Sequence, residues 1–385
     1  MTYNKIPVSI QRCESYDPDE VRDALNRVLD HLGGMAAFVS PGDRVLLKPN
    51  LLAPKPPEAA VTTHPEVVRA VALEVMAAGG EVYLGDSPAV GSLAGILKKT
   101  GIMPVVNELG IQMVPFRTPV PIPVPDGGVY RSVLVAEEAT RYDLILNLPK
   151  FKTHGMMTLT LAVKNMFGTV VGAAKPGWHL QARETARFAD MLLDIWRALP
   201  PGLSIMDGII AMEGNGPGSG DPLDLGLLMA SPSALAMDAV AGPIAGLAIE
   251  RHPVLYQAGV RGLEGVQSDQ IQVLGEAIED VRRAFVLPKS ASRVDFRLPD
   301  WMNRSMRKSL NSFPRLNPDL CTTCGECVAI CPANAIALHD SPRTGGIVDK
   351  DKCISCFCCQ EVCPERSIDI VPGRLLRILK KVNLA

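Results

Sequence analysis

Little in this sequence ties the chain to a membrane, a nucleic acid or a nucleotide. The longest apolar stretch, residues 235–249, is interrupted by Asp238 and Pro243 and falls short of the roughly 20 residues that a spanning helix needs. No transmembrane segment is therefore expected. Residues 1–5 lack the basic segment, apolar run and small-residue cleavage site of a secretory signal, so a cytoplasmic location is the expectation. The formal net charge is -2, too small a bias for a general nucleic-acid partner. Neither G-x-G-x-x-G after a strand nor G-x4-G-K-[ST] occurs, which removes the usual support for nicotinamide binding and for ATP hydrolysis. The compact metal motif H-E-x-x-H is missing as well. Flavin has no single obligatory motif and stays open as a cofactor, as does another anionic cofactor.

What is present suits two domains. The chain has 385 residues, 47% of them hydrophobic and 21% charged, enough to bury a sizeable core in an ordinary globular protein. Up to about residue 280, short β-branched runs alternate with longer stretches of helical period. That pattern predicts an α/β domain with a mostly parallel sheet flanked by helices. Strands are expected over 5–11, 43–48, 80–85, 110–115, 142–147, 203–208, 225–230 and 271–274. Two helices stand out, 65–78 with Thr63 as its cap and 183–199 stopped by Pro200 and Pro201. Residues 117–128 alternate proline with β-branched residues and predict an extended edge ribbon. Residues 281–320 carry nine Lys or Arg against three Asp or Glu. The expected boundaries are an α/β domain over 1–280, a basic linker over 281–314, a small α+β domain over 315–371 and a basic tail over 372–385.

Nine of the ten cysteines lie between positions 321 and 363, a clustering that points to metal rather than disulfides in a reducing compartment. Cys321, Cys324, Cys327 and Cys331-Pro332 form C-x2-C-x2-C-x3-C-P, and Cys353, Cys356, Cys359 and Cys363-Pro364 repeat it. A tightly turning C-x2-C-x2-C loop can offer three thiolates to an iron-sulfur cubane, with a remote cysteine closing the fourth corner. Structural zinc is the competing reading, but it usually uses paired C-x2-C motifs. Over about 315–371 the sequence resembles bacterial ferredoxins with two [4Fe-4S] clusters. That resemblance implies that Cys321, Cys324, Cys327 and Cys363 hold one cluster and Cys353, Cys356, Cys359 and Cys331 the other. Cys358 is expected as a packed thiol beside the second cluster and Cys13 as a core residue. Residues 321–371 hold four basic and seven acidic side chains, so the basic stretch upstream is a candidate docking surface for this module.

In the large domain the unusual residues follow predicted strands. Lys48, Pro49 and Asn50 follow the second, Asp86 and Ser87 the third, and Lys150, Lys152 and His154 the fifth, in a loop. Gly214 and Gly216 sit in a glycine-rich run after the sixth, and Thr62, Thr63 and His64 precede a helix. Strand ends of one edge are where ligands of open parallel sheets bind, so these segments could line one crevice. Lys48, Lys150, Lys152 and Lys164 would supply positive charge, glycine amides could approach an oxyanion, and Asp86, Asp207 and Glu213 could bind a metal or balance the lysines. The implied ligand is an anionic small molecule. His154 is the first candidate for proton transfer and His64 the second, as donor or phosphate ligand.

The run LNLPKFKTHGMMTLTLAVKNMFG, together with LLKPN, TTHPEVVRAV, GDSP and DGIIAMEGNGPGSGDP, resembles the family named domain of unknown function 362. The resemblance spans most of 1–280 and implies importance for Lys150, Lys152, His154, Lys164 and Asn165 without naming a substrate. Three functions follow. The first is an iron-sulfur oxidoreductase, loaded by an external low-potential electron donor or acceptor and exchanging electrons with an anion in the crevice. The others are a non-enzymatic docking and electron-transfer subunit, and a protein of cluster or metallocofactor assembly.

Overall fold

The computed structural model describes residues 4–88, 91–182, 184–288, 309, 311–338 and 346–373. The chain forms a large α/β domain and a small C-terminal α+β region that carries the cysteine runs. In the large domain the strands are β1 (Ile6–Arg12), β2 (Arg44–Pro49), β3 (Glu81–Asp86), β4 (Gln112–Pro115), β5 (Pro119–Pro123), β6 (Ser132–Ala136), β7 (Leu144–Leu148), β8 (Lys150–His154), β9 (Thr158–Thr160), β10 (Leu203–Glu213), β11 (Asp221–Ser231) and β12 (Ile271–Gly275). The main sheet runs β12-β1-β11-β10-β7-β2-β3-β4, with β8 and β9 attached beside β10. Pairings are parallel except where β11 runs against β1 and β10, and where β9 folds back on β8. Apolar residues cover both faces of the sheet, as a sheet flanked by helices requires.

The helices form for local reasons. Pro65–Ala77 starts with proline at its first turn, and its cap is His64 rather than Thr63: His64 Nδ1 accepts from Glu66 N at 3.2 Å. Thr63 is otherwise engaged, donating its hydroxyl to Leu148 O at 2.7 Å. Val67, Val68, Val71 and Val75 bury one side of this helix. Thr185–Ala198 is amphipathic and buries Phe188, Leu192 and Ile195. The proline-rich segment forms the ribbon β5–β6, outside the main sheet.

Two expectations need correction. Lys150, Lys152 and His154 lie on a strand, not in a loop. Pro149 breaks the ladder, because it has no N–H, yet its carbonyl accepts from Asp207 N at 2.9 Å and the chain pairs with β10 again through β8. Pleating then sends Lys150, Lys152 and His154 to one side of the strand and Phe151 and Thr153 to the other. The second correction concerns the boundary at 281. Phe285 is buried against Phe151, with ring centroids 5.1 Å apart, and its N–H donates to Ala245 O at 3.0 Å. The large domain therefore extends beyond 281. Most of the expected linker and residues 374–385 of the expected tail lie outside the described residues.

The C-terminal region pairs β13 (Ser312–Leu316) with β16 (Ile368–Pro372) and β14 (Ile336–Leu338) with β15 (Gly346–Val348), all antiparallel. The duplicated sequence is duplicated in backbone. Thr323, Gly325 and Asn334 in the first half and Ser355, Phe357 and Arg366 in the second all have positive φ. The left-handed residue that glycine fills at 325 (φ 86) is filled at 357 by phenylalanine (φ 65), which costs backbone energy and must be repaid by packing.

Candidate functional site

A crevice opens where the carboxyl ends of β2 and β3 meet β8, the helices Ala162–Asn165 and Lys175–Gln181, and the cysteine region. Lys48, Asn50, Asp86, Ser87, Lys152, Lys164 and Asn165 line it from the large domain, together with Thr160, Phe167, Gly168, Lys175 and His179. Ile330, Cys358, Glu361 and Val362 close it from the cysteine region. About 80 Å³ of it is open to the centres of water-sized molecules, several times the space that one water needs.

The positive groups differ in how they are held. Lys48 is buried, lies 3.4 Å from Asp86 Oδ2 and donates to Pro49 O at 3.0 Å. A Cβ at residue 168 would strike both the Lys48 ammonium and the Asp86 carboxylate, so Gly168 is needed for that approach. Lys164 has no ion-pair or hydrogen-bond partner among the described residues; burial lowers its pKa, with Glu361 opposing. Lys175 donates to Ser87 O and sits 5.9 Å from the centre of the Phe167 ring; burial brings its pKa down to about 8. Lys48 is thus paired with a carboxylate, whereas Lys164 and Lys175 have no carboxylate partner among the described residues.

A chain of amides sets the polar wall. Asn147 Nδ2 donates to Ala162 O, which can only accept, so Asn147 Oδ1 must face the other way. It accepts from Asn165 Nδ2 at 2.8 Å, Asn165 Oδ1 accepts from Asn50 Nδ2 at 2.9 Å, and Asn50 Oδ1 accepts from Lys152 Nζ at 2.8 Å. Every orientation follows from the first.

Several expected residues are elsewhere. Lys150 is buried away from the crevice, 2.8 Å from Asp207 Oδ2 and 2.7 Å from Tyr16 Oη. His64 belongs to the same cluster: its ring stacks on Tyr16 at 3.5 Å, and burial lowers its pKa to about 4. Gly214 and Gly216 are not part of the crevice wall; their carbonyls accept from Thr153 Oγ1 at 3.1 Å and Gly155 N at 3.1 Å. Their loop is instead a docking surface, where Asn215 O accepts from Gln360 Nε2 at 2.7 Å. Cys13 is a buried core thiol whose pKa burial raises to about 12. His154 sits behind the crevice wall. Its Nδ1 accepts from Met156 N and Met157 N at 3.0 and 3.2 Å, which leaves the proton on Nε2. Nε2 faces Glu361 Oε1 at 3.0 Å, without the alignment of a full hydrogen bond. Burial and then Lys164 lower the His154 pKa to about 4. Burial opposes ionisation of Glu361, yet His154 and Lys164 hold its pKa near 2.

Sequence reasoning missed Lys175, His179 and Glu361. The first two lie in GAAKPGWHL, which has no strand-end signature, and Glu361 is brought in from the cysteine region by tertiary packing alone.

The cysteines surround two further cavities. Cys321, Cys324, Cys327 and Cys363 line one, and Cys331, Cys353, Cys356 and Cys359 line the other, with Cys358. Cys358 thus lies in the wall of both the second cavity and the crevice. Backbone N–H groups point at three of the sulfurs: Ala335 at Cys331, Ser355 at Cys353 and Ser367 at Cys363, at 3.2 to 3.4 Å. Four sulfurs ring each of the two volumes, a donor set that fits cubane clusters.

Residues 45–242 match the family described as domain of unknown function (DUF362). The chain belongs to this family. Residues 313–364 of this DUF362 protein match the 4Fe-4S dicluster domain, which makes the C-terminal region an iron-sulfur, metal-binding module of ferredoxin type. The thylakoid-associated protein sll1697 of Synechocystis is 40% identical over 314 residues, covering 80% of this chain and 94% of that protein. Among solved structures, the lactate racemase apoprotein of Thermoanaerobacterium thermosaccharolyticum is 12% identical with a TM-score of 0.40, over 64% of this chain and 59% of its own. A protein from Thermotoga maritima is 11% identical with a TM-score of 0.35, over 52% of each chain. No helix among the described residues is long and apolar enough to cross a membrane.

Proposed function

We propose that this DUF362 protein is an iron-sulfur oxidoreductase whose cysteine module delivers electrons to a small anionic molecule in the crevice. The observation that carries this reading is Cys358, a residue in the wall of both the second cysteine cavity and the crevice. Cys321, Cys324, Cys327 and Cys363 would hold one [4Fe-4S] cluster, and Cys353, Cys356, Cys359 and Cys331 the other. Bound there, the clusters supply one-electron transfer. Cys324 is exposed whereas Cys356 and Cys359 are buried, which supports entry of electrons from an external carrier at the first cavity and exit at the second. The backbone N–H groups on Cys331, Cys353 and Cys363 stabilise thiolate charge.

Lys164 and Lys175 bind the anion and offset charge that accumulates on it as it is reduced. Lys48, held by Asp86, shapes the floor, and the asparagine chain fixes the polar wall. His154 acts through Glu361: its Nε2–H faces the carboxylate that forms part of the roof. His179 is the imidazole on the crevice wall itself and the better-placed proton donor. Free thiolates for eight cluster ligands also require a reducing compartment, in keeping with a cytoplasmic location.

Anaerobic reconstitution followed by iron and acid-labile sulfide analysis tests the module. About eight irons per chain are expected, while about four, or zinc in their place, would overturn the assignment. Calorimetry with small carboxylates on the same sample tests the crevice, and no binding by any of them would overturn that part.

A further inference from the structure

Two of the buried lysines at the strand ends have carboxylate partners, Lys48 with Asp86 and Lys150 with Asp207. Lys152, buried and in the crevice wall, has none among the described residues. Its Nζ donates to two uncharged acceptors, Asn50 Oδ1 at 2.8 Å and Val61 O at 2.6 Å. The asparagine chain fixes that Asn50 oxygen toward it. An ammonium has three protons to place and an uncharged amine has two, so this pair of acceptors satisfies the amine and leaves its lone pair unengaged. Burial, and then the neighbouring charge of Lys164, hold the Lys152 pKa well below the ordinary lysine value. A desolvated lysine beside a second cation is an activated nucleophile.

We propose that Lys152 forms an imine with the carbonyl carbon of a small oxo-carboxylate, which names the substrate class for the crevice. The inference rests on the anion-binding reading above, with Lys164 and Lys175 holding the carboxylate end. Nζ adds to the carbonyl carbon while a proton moves from nitrogen to oxygen, giving a carbinolamine. Loss of one water then leaves the C=N bond. No electrons are consumed, and hydrolysis reverses the linkage.

The test uses the full chain, reconstituted anaerobically and incubated with pyruvate or glyoxylate and sodium cyanoborohydride, then digested for peptide mapping by mass spectrometry. Propionate, which lacks the carbonyl, is the control. The expected result is a reduced adduct at Lys152 about tenfold above any other lysine, absent in Lys152→Arg, whose guanidinium stays charged. Mapping on the native chain decides the matter even if that variant folds poorly. Labelling spread evenly over surface lysines would overturn the proposal. A thermal shift with propionate reports the anion site separately: propionate binding without an adduct at Lys152 overturns the imine and leaves the parent reading standing, and failure of all three acids to bind overturns both.

Discussion

Charge in the crevice is handled residue by residue. Lys48 is locked to Asp86, Lys152 is wedged between neutral acceptors, and Lys164 and Lys175 are left to meet a ligand. Replacing Lys164 or Lys175 with glutamine should therefore weaken binding of a small carboxylate by roughly tenfold to a hundredfold, the worth of a hydrogen bond to a charged group. Calorimetry checks this, with circular dichroism to verify the fold. A second residue-scale expectation concerns His252, which caps the helix Pro253–Val260 through Nδ1, accepting from Leu255 N at 3.4 Å. Burial lowers its pKa from 6.5 to about 4. Above the ordinary value both folded and unfolded states are neutral; as pH falls below it, only the unfolded chain takes the proton. Stability is lost between pH 6.5 and about 4, by about 2 kcal/mol at pH 5 from this group. His252→Asn keeps a capping acceptor and removes the titration, so the drop in unfolding free energy from pH 7 to pH 5 should shrink by that amount in denaturant titrations. Lys48, Asn50, Asp86 and Ser87 were legible in the sequence because strand-end polar groups are conspicuous after apolar runs. Lys150 carried the same signature and His64 stood out before a helix, and only packing reveals that Asp207 and Tyr16 engage them.

At the scale of elements, the glycine-rich loop after β10 and the segment Gln360–Glu361 form one seam. A Cβ on Gly218 would lie 2.6 Å from Glu361 O, and one on Gly155 would lie 2.7 Å from Ile370 Cδ1. Phe357 packs into the large hydrophobic core from its left-handed position, which explains why the duplicated unit carries phenylalanine here and glycine at 325. Gly218→Ala should push the module away, at a cost of about 1–3 kcal/mol for overpacking. The expected signature is faster hydrogen exchange in residues 355–363 with β1, β2 and β3 unchanged; unchanged exchange across the seam would contradict it. The α/β class and the mostly parallel sheet were legible from alternating strands and helices, whereas the strand order was not. The strand character of 150–154 was not, since Pro149 reads as a terminator and three basic residues in alternation resemble a solvated loop. Only the partner strand β10, some 50 residues later in the chain, shows that the ladder resumes.

Across the whole molecule, both domains supply walls to one crevice, and neither domain's sequence alone describes it. The cysteine runs were readable because ligand spacing is a local property. Their placement was not, because docking depends on glycine contacts and on Glu361 meeting His154 across the seam. The arrangement implies an asymmetry between the two cysteine cavities: among the described residues, only the one lined by Cys331, Cys353, Cys356 and Cys359 shares a wall, at Cys358, with the crevice. Electron paramagnetic resonance of the anaerobically reconstituted and reduced chain, titrated with pyruvate, tests that asymmetry. The account predicts that the signal of one cluster shifts while the other is unchanged, and that Lys164→Gln abolishes the shift. Signals that both ignore the anion, or that respond equally, would contradict it.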